Sequence, residues 1–353
     1  MLNRIIFSLM TLVDKFLSPL IKAAFVLLLF VLSACSPAPQ EYLRISGTTM
    51  GTTYHINLRA PPGDWDEQSL KSALDKRLDA FNQIASTYID DSELSLLNNL
   101  PAGEWRQLTP MLFDILVQAV EVSWLSNGAF DVTVGPLVDL WGFGPEKHYV
   151  KPTDDAVNQA LQEVGFDRIE LDISENKLKK NAPLRIDLSA IAKGYGVDVV
   201  ALWLESLGST DYLVEIGGEM RVAGLSPRGD QWRIGVESPD LAADKTTPIL
   251  LGKIGVATSG DYRNYFEENG VRYSHTIDPR TGRPITHNLA SVTVLDPSSA
   301  FADAMATAFS VLGSDKTLAL AEQLNIPVYL IEKTENGFTS RYSSAFAPYL
   351  EQE

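Results

Sequence analysis

The chain has 353 residues, 45% of them apolar and 21% charged, which is enough to bury one large core or two smaller ones and excludes extensive disorder. Its formal charge of −16 becomes about −18 without the first 34 residues, which hold three basic residues and one acidic one. So acidic a balance excludes a nucleic-acid binder, and an anionic ligand must be met by a local cation or by aimed backbone N–H groups.

The opening run carries Arg4, Lys15 and Lys22, then KAAFVLLLFVLSA, whose apolar part is short for a transmembrane helix. It ends at Cys35, the single cysteine, so disulfides and thiolate metal sites are excluded from the folded part. Leu32-Ser33-Ala34-Cys35 resembles a bacterial lipoprotein signal. That resemblance implies a removed signal peptide over 1–34, lipidation of Cys35, a tether over 35–42 and a folded domain over 43–353. The expected location is the periplasmic side of the inner membrane, with the outer membrane left open by Ser36. An uncleaved anchor and a buried start of the fold are the alternatives, and Met10 is an alternative start.

LRISGTTMGTTYHINLRA alternates apolar and polar residues on either side of Met50-Gly51, which predicts two strands and a tight turn. Leu70, Leu74, Leu78, Phe81 and Ile84 then recur at helical spacing, with Asp64 or Asp66 as cap. STYIDDSELSLLNN reads as a polar loop, holding Tyr88, that opens a short helix through Asp91 or Ser92. Thr109-Pro110 starts a second helix, which Gly128 ends. GAFDVTVGPLVDLWGFG has a strand-like VTV and then glycines and aromatics, and reads most simply as hydrophobic packing. A small helix is expected from Thr153 to Val164.

RIELDISENKLKKNAPLRIDLSAIAKGYGVDVV predicts three strands and a long helix, with Asp187 and Ser189 where strand becomes helix. Helix-start N–H groups bind anions, and Gly194 and Gly196 would allow close approach; packing glycines are the equal alternative. YLVEIGGEMRV and QWRIGVES read as strands with a bend at Gly217-Gly218. GKIGVATS and LASVTVLD are strands flanking a polar stretch, Thr258 to Asn288, that collects Ser259, Tyr262, Arg263, His275, Asp278, Thr281 and His287 among turn-forming dipeptides. His275 is the better base candidate, because Asp278 three residues on could orient its ring; a solvated hairpin connection is the alternative. SSAFADAMATAFSVLG is a helix with Asp303 and Thr307 on one face, where an otherwise apolar environment asks for a partner such as a metal, unless Asp303 lies at the surface. IPVYLIEK and FTSRYSSAF close the chain as strands.

Taken together, MGTTYHI, STYIDDSELSLLN, GAFDVTVGPLVDLWGFG, DLSAIAKGYGVD, IGGEMR, TSGDYRNY, SHTIDPRTGRP and ADAMATA resemble the ApbE family of FAD:protein FMN transferases, from about Leu43 to the C-terminus. The resemblance implies an α+β fold, with mixed, largely antiparallel sheets, packed helices and two lobes around an FAD cleft. It implies a Mg²⁺-dependent enzyme that cleaves FAD, attaches FMN to a Ser or Thr of a protein and releases AMP. The implied acceptors are flavoprotein subunits of membrane redox complexes of the sodium-pumping quinone reductase or Rnf type. Carried over motif by motif, FAD contacts fall on Met50, Tyr88, Ala129, Phe130, Asp131, Asp187, Lys193 and Ile277. Metal ligation falls on Ala190, Asp303, Ala306 and Thr307; some relatives have Asp where Ala306 stands, and here only its backbone oxygen could serve. His275 is expected to take the acceptor hydroxyl's proton, Asp278 to orient it and Arg263 to hold phosphate. A periplasmic FAD-binding lipoprotein without turnover and a metal-dependent FAD pyrophosphatase are the competing functions.

Overall fold

The computed structural model describes residues 42–144, 151–237, 246–260, 265–268 and 271–351. Cys35, the proposed signal and tether up to residue 41, and Arg263 lie outside the described residues. No helix among those described is long and apolar enough to cross a membrane.

The strands in chain order are β1 (Tyr42–Thr49), β2 (Thr52–Arg59), β3 (Trp105–Gln107), β4 (Ile169–Asp172), β5 (Lys177–Lys180), β6 (Tyr212–Ile216), β7 (Glu219–Ala223), β8 (Trp232–Glu237), β9 (Thr246–Leu251), β10 (Ile254–Gly260), β11 (Tyr265–Glu268), β12 (Val271–Ser274), β13 (Ile277–Asp278), β14 (Arg283–Pro284), β15 (Leu289–Asp296), β16 (Val328–Thr334) and β17 (Gly337–Tyr342). The helices are α1 (Glu67–Ala85), α2 (Glu93–Asn98), α3 (Pro110–Leu125), α4 (Gly135–Leu140), α5 (Asp154–Leu161), α6 (Ala192–Ser206), α7 (Ser299–Leu312) and α8 (Ser314–Leu324). Asp66, Ser92, Thr109 and Ser298 cap α1, α2, α3 and α7 by accepting a first-turn N–H, the role their side-chain oxygens suit.

One eight-stranded sheet, ordered β1-β2-β6-β7-β10-β15-β16-β17, organises the chain from Tyr42 onward. Every one of its ladders is antiparallel. Strand periodicity sends alternate residues to opposite faces. Ala257, Val292, Val294, Val328 and Leu330 therefore pack with α3 and α7, while Val256, Leu295, Tyr329 and Ile331 pack with Trp232, Val236, Ile249 and Leu251 of β8 and β9. Leu70, Leu74 and Leu78 of α1 and Val197, Val200 and Leu204 of α6 cover the β1-β2-β6 end. Helix α7 is apolar and buried on nearly every side, and Asp303 is its one charged residue. Because β10 and β15 are sheet neighbours, the polar stretch singled out in the sequence is one long excursion between adjacent strands.

The VTV of residues 132–134, strand-like in composition, forms a turn within buried packing, because the Asp131 carboxylate takes both the Thr133 N–H (2.7 Å) and its hydroxyl (2.6 Å), bonding locally an N–H that a ladder would use. The third strand expected near Ile186 is missing. There the Asn98 amide accepts from the Ile186 N–H (2.7 Å) and donates to its carbonyl (2.8 Å), substituting for a neighbouring strand. The expected helix from Thr153 ends at Leu161, and a 3₁₀ turn, Phe166–Arg168, follows Gly165. The last expected strand ends at Tyr342; Ser343 is the N-cap residue of a second 3₁₀ turn, Ser344–Tyr349, that takes up the rest of its SSAF.

Candidate active site

Helices α6 and α7 approach closely enough to exclude a side chain. A Cβ on Gly194 would drive into the Ser299 carbonyl oxygen and lie 2.8 Å from the Cβ of Asp303. The bare backbone lets the Gly194 N–H donate to Asp303 Oδ2 at 3.0 Å, with Asp303 only 3% exposed. One helical turn on, Thr307 Oγ1 lies 3.4 Å from Ser259 Oγ at the end of β10. Ala306 is fully buried and brings only backbone oxygen, and Ala190 sits half-buried on the turn that leads into α6.

Lys193 faces the same region and pairs through Nζ with Glu219 Oε1. Burial alone would lower the Lys193 pKa; the carboxylates of Asp303 and Glu219 outweigh it and hold the ammonium above the usual lysine range. Burial, with Asp303 alongside, pushes the Glu219 carboxyl up to about 8 against the pull of Lys193. Glu219 was not assigned from the sequence. It stands directly after Gly217-Gly218 and faces inward on a strand that also buries Arg221 two residues on. Both glycines have positive φ, and a Cβ on Gly217 would lie 2.8 Å from Thr52 Cγ2 and 3.2 Å from Lys193 Cδ. The glycine hairpin is thus what lets the lysine stem pass.

Met50 sits at a positive φ of 49° on the β1–β2 turn, and its Cε reaches the surface of α6 bared by Gly196. Across the site, the loop Ala129-Phe130-Asp131 is buried. Both Asp131 oxygens are used inside the protein, Oδ1 by Thr133 and Oδ2 by the Phe166 N–H at 3.0 Å. Burial still pushes the Asp131 carboxyl above its ordinary range, although those hydrogen bonds oppose the shift. Asp187 docks beside this loop through its N–H, which donates to the Val132 carbonyl at 2.7 Å, and its Oδ1 turns the chain toward α6 by accepting from the Ser189 N–H at 2.8 Å.

The excursion between β10 and β15 packs against the same loop. Ile277 is buried with Leu137, Trp141 and Val157, Trp141 Nε1 donates to the Gly282 carbonyl at 2.8 Å, and the Arg280 stem reaches the turn at Gly128. His275 is half-buried, its ring edge-on to Phe143 at 6.3 Å. Asp278, expected to orient His275, holds the Arg280 guanidinium in a two-toothed pair at 2.8 Å on each oxygen. Tyr88 stands 73% exposed on the turn between α1 and α2. The segment from Asp187 to Gly194 therefore joins two groups, Asp131, Asp187 and Ile277 on one side and Met50, Lys193, Glu219, Asp303 and Thr307 on the other.

The oxygen-only set of Asp303, Thr307 and main-chain carbonyls, sparse and next to an excess of carboxylate, fits Mg²⁺, which keeps much of its coordination for water and phosphate. No cluster of three or more His, Cys, Asp or Glu side chains able to hold a metal occurs among the described residues.

The ApbE family model matches residues 50–330, most of the chain, from Met50 into the start of β16. The chain belongs to the ApbE family. The FAD:protein FMN transferase of Vibrio cholerae is 46% identical over 325 residues, covering 91% of this chain and 96% of the relative. That of Haemophilus influenzae is 43% identical over 334 residues, covering 91% and 94%. Among solved structures, the ApbE flavin transferase of Vibrio cholerae superposes with a TM-score of 0.82 at 45% identity, covering 88% of this chain and 99% of that one. The apo flavinyl transferase ApbE of Pseudomonas stutzeri gives 0.82 at 38% identity, covering 89% and 98%. The expected ApbE architecture is the one observed, with antiparallel sheet and packed helices.

Proposed function

We propose that this chain is a Mg²⁺-dependent FAD:protein FMN transferase. The observation that carries the reading is its kinship with transferases of that name over nine-tenths of its length. In the proposed reaction the hydroxyl oxygen of an acceptor Ser or Thr attacks the FMN-side phosphorus of FAD. A phosphoester bond forms, the bond from that phosphorus to the bridging oxygen breaks, and AMP leaves with the bridging oxygen. Such a displacement needs positioning, neutralised phosphate charge and a proton acceptor.

The residues divide that work. Asp303, Thr307 and the carbonyls of Ala190 and Ala306 would hold Mg²⁺, which when bound supplies the charge neutralisation on phosphate oxygens that an acidic protein lacks. Lys193 adds a fixed positive charge beside them. Met50, Tyr88, the Ala129–Asp131 loop, Asp187 and Ile277 bind and orient FAD, the loop through its main chain, because the Asp131 carboxylate is already engaged. His275 takes the acceptor's proton, and Arg263 steadies phosphate. Asp278 acts on the same excursion through Arg280.

The acceptor is proposed to be a flavin-carrying subunit of a sodium-pumping quinone reductase or Rnf-type complex, reached from a lipid anchor on Cys35 at the periplasmic face of the inner membrane. Incubating the protein with FAD, Mg²⁺ and an acceptor bearing an Asp-Gly-x-Ser/Thr-Gly-Ala-Thr-like motif tests the reaction. The acceptor should gain the mass of FMN less one water, with an equal amount of AMP. FMN and AMP without a mass shift would instead indicate hydrolysis, and intact bound FAD a carrier.

A further inference from the structure

Helices α6 and α7 cap one another. The first turn of α6 has no side-chain cap from its own N-terminus, and the N–H of Gly194 in that turn is taken by Asp303 of α7. In return the first-turn N–H of Ala300 in α7 is taken at 3.0 Å by Oδ2 of Asp198, one helical turn beyond Gly194 on α6. The same oxygen accepts from the hydroxyl of Ser298, the N-cap of α7, at 3.1 Å. Asp198 is 8% exposed, and its other oxygen accepts from Arg221 of β7 at 2.8 Å. Arg221 is in turn 9% exposed and near Glu205, so the carboxylate is pinned on both sides.

We propose that Asp198 is a positioning residue for the Asp303–Thr307 oxygen pair. The inference deepens the transferase reading and rests on it. A carboxylate at a helix N-terminus meets both orphan N–H groups and the helix dipole. By holding α7 at its start while Gly194 holds it at Asp303, Asp198 fixes the axial place and rotation of the helix. The two inward oxygens, Asp303 Oδ and Thr307 Oγ1, then sit at one setting relative to the turn at Ala190. Neither Asp198 nor Arg221 need touch FAD or metal for this.

The test compares the full chain with Asp198→Asn, Ser298→Ala, Asp303→Ala and the double variant Asp198→Asn/Arg221→Met. The double variant removes the guanidinium together with its counter-charge, so no unpaired buried cation confuses the result. Expected for it are a melting temperature within a few degrees of the parent and FAD binding without Mg²⁺ within about twofold. The Mg²⁺ concentration at half-saturation should nevertheless rise about tenfold or more, both in transfer and in calorimetric titration of the FAD complex. Ser298→Ala should shift it about threefold in the same direction, and it carries the test alone if the double variant does not fold. An unchanged Mg²⁺ midpoint in the folded variants overturns the inference, as does a loss of FAD binding equal to the loss of Mg²⁺ response. Asp303→Ala separates the two levels: if its Mg²⁺ response persists, the metal reading itself is wrong and the inference falls with it. If that response is lost while the Asp198 variants keep a native midpoint, only the inference fails.

Discussion

The N–H of Gly194 reaches Asp303 Oδ2 at 3.0 Å because position 194 has no Cβ, and that contact sets where the single charge of α7 lies. Gly194→Ala adds one methyl that has nowhere to go, between the Ser299 carbonyl and the Asp303 Cβ. The helices must separate, and overpacking of this kind costs about 1–3 kcal/mol. Ala has the higher helix propensity, so a net loss of stability would be due to the clash. Chemical denaturation should give that loss, and transfer activity should fall further than stability does, because the displaced element carries Asp303 and Thr307. A variant as stable and active as the parent would mean that the approach of α6 to α7 is looser than described.

Asp131 is proposed to shape the flavin loop rather than to present a charge. Its oxygens accept three hydrogen bonds, two from Thr133 and one from Phe166. Asp131→Ala leaves those donors without a partner in a buried place, a cost of about 2–4 kcal/mol. Asp131→Asn is the sharper variant. It replaces one acceptor oxygen with an NH₂ group that must face a donor at one end or the other, so it should lose nearly as much stability as the Ala variant and weaken FAD binding alongside. Melting curves with and without FAD measure both. A native-like Asn variant would show that the negative charge and the second acceptor are dispensable.

How far these features could be read from the sequence depends on the range of the interactions that set them. The β1–β2 turn at Met50-Gly51, the caps Ser92 and Thr109, and Asp303 with Thr307 on one helical face follow from local chemistry and periodicity, and the structure contains them. At residues 132–134 the β-branched composition favours a strand, but Asp131 competes for the same backbone and a turn forms. The strand near Ile186 failed for a long-range reason: its partner is the side chain of Asn98, 88 residues away. Glu219 escaped assignment because its meaning comes from Lys193 and Asp303, which no spacing in the chain brings together. The pairing of Asp278 with Arg280 is local, two residues apart, and lies within reach of sequence reading.

His275→Ala tests the proposed proton acceptor. The ring is half-buried against Phe143, on the excursion that also carries Ile277. Removing a general base lowers the chemical step by about 10²–10⁴. The expected result is that loss in transfer rate, with FAD affinity within about threefold of the parent and little change in melting temperature. Full transfer with normal FAD affinity would remove His275 from the role, and loss of FAD binding would make it a binding residue instead.

Glu219 gives a pH prediction whose sign is fixed. Its folded carboxyl titrates near 8, because it is buried and beside Asp303; an unfolded glutamate titrates near about 4.3. Between those values the native state holds a proton that the unfolded chain has lost, so stability falls as pH rises. The contribution is complete below the unfolded value and is lost as pH passes through the folded one. Lys193, held above the usual lysine range, stays charged across that window and adds no slope there. Glu219→Gln is neutral at every pH and can still accept from Lys193, so its stability should decline less steeply than the parent's between about pH 5 and 8. Denaturation midpoints of both proteins across that range, measured in chelator, give the difference, in which buried groups common to both, such as Asp131 and Asp296, cancel. Parallel curves would mean that Lys193 keeps Glu219 ionised throughout. The cluster would then hold a full second negative charge beside Asp303 at neutral pH.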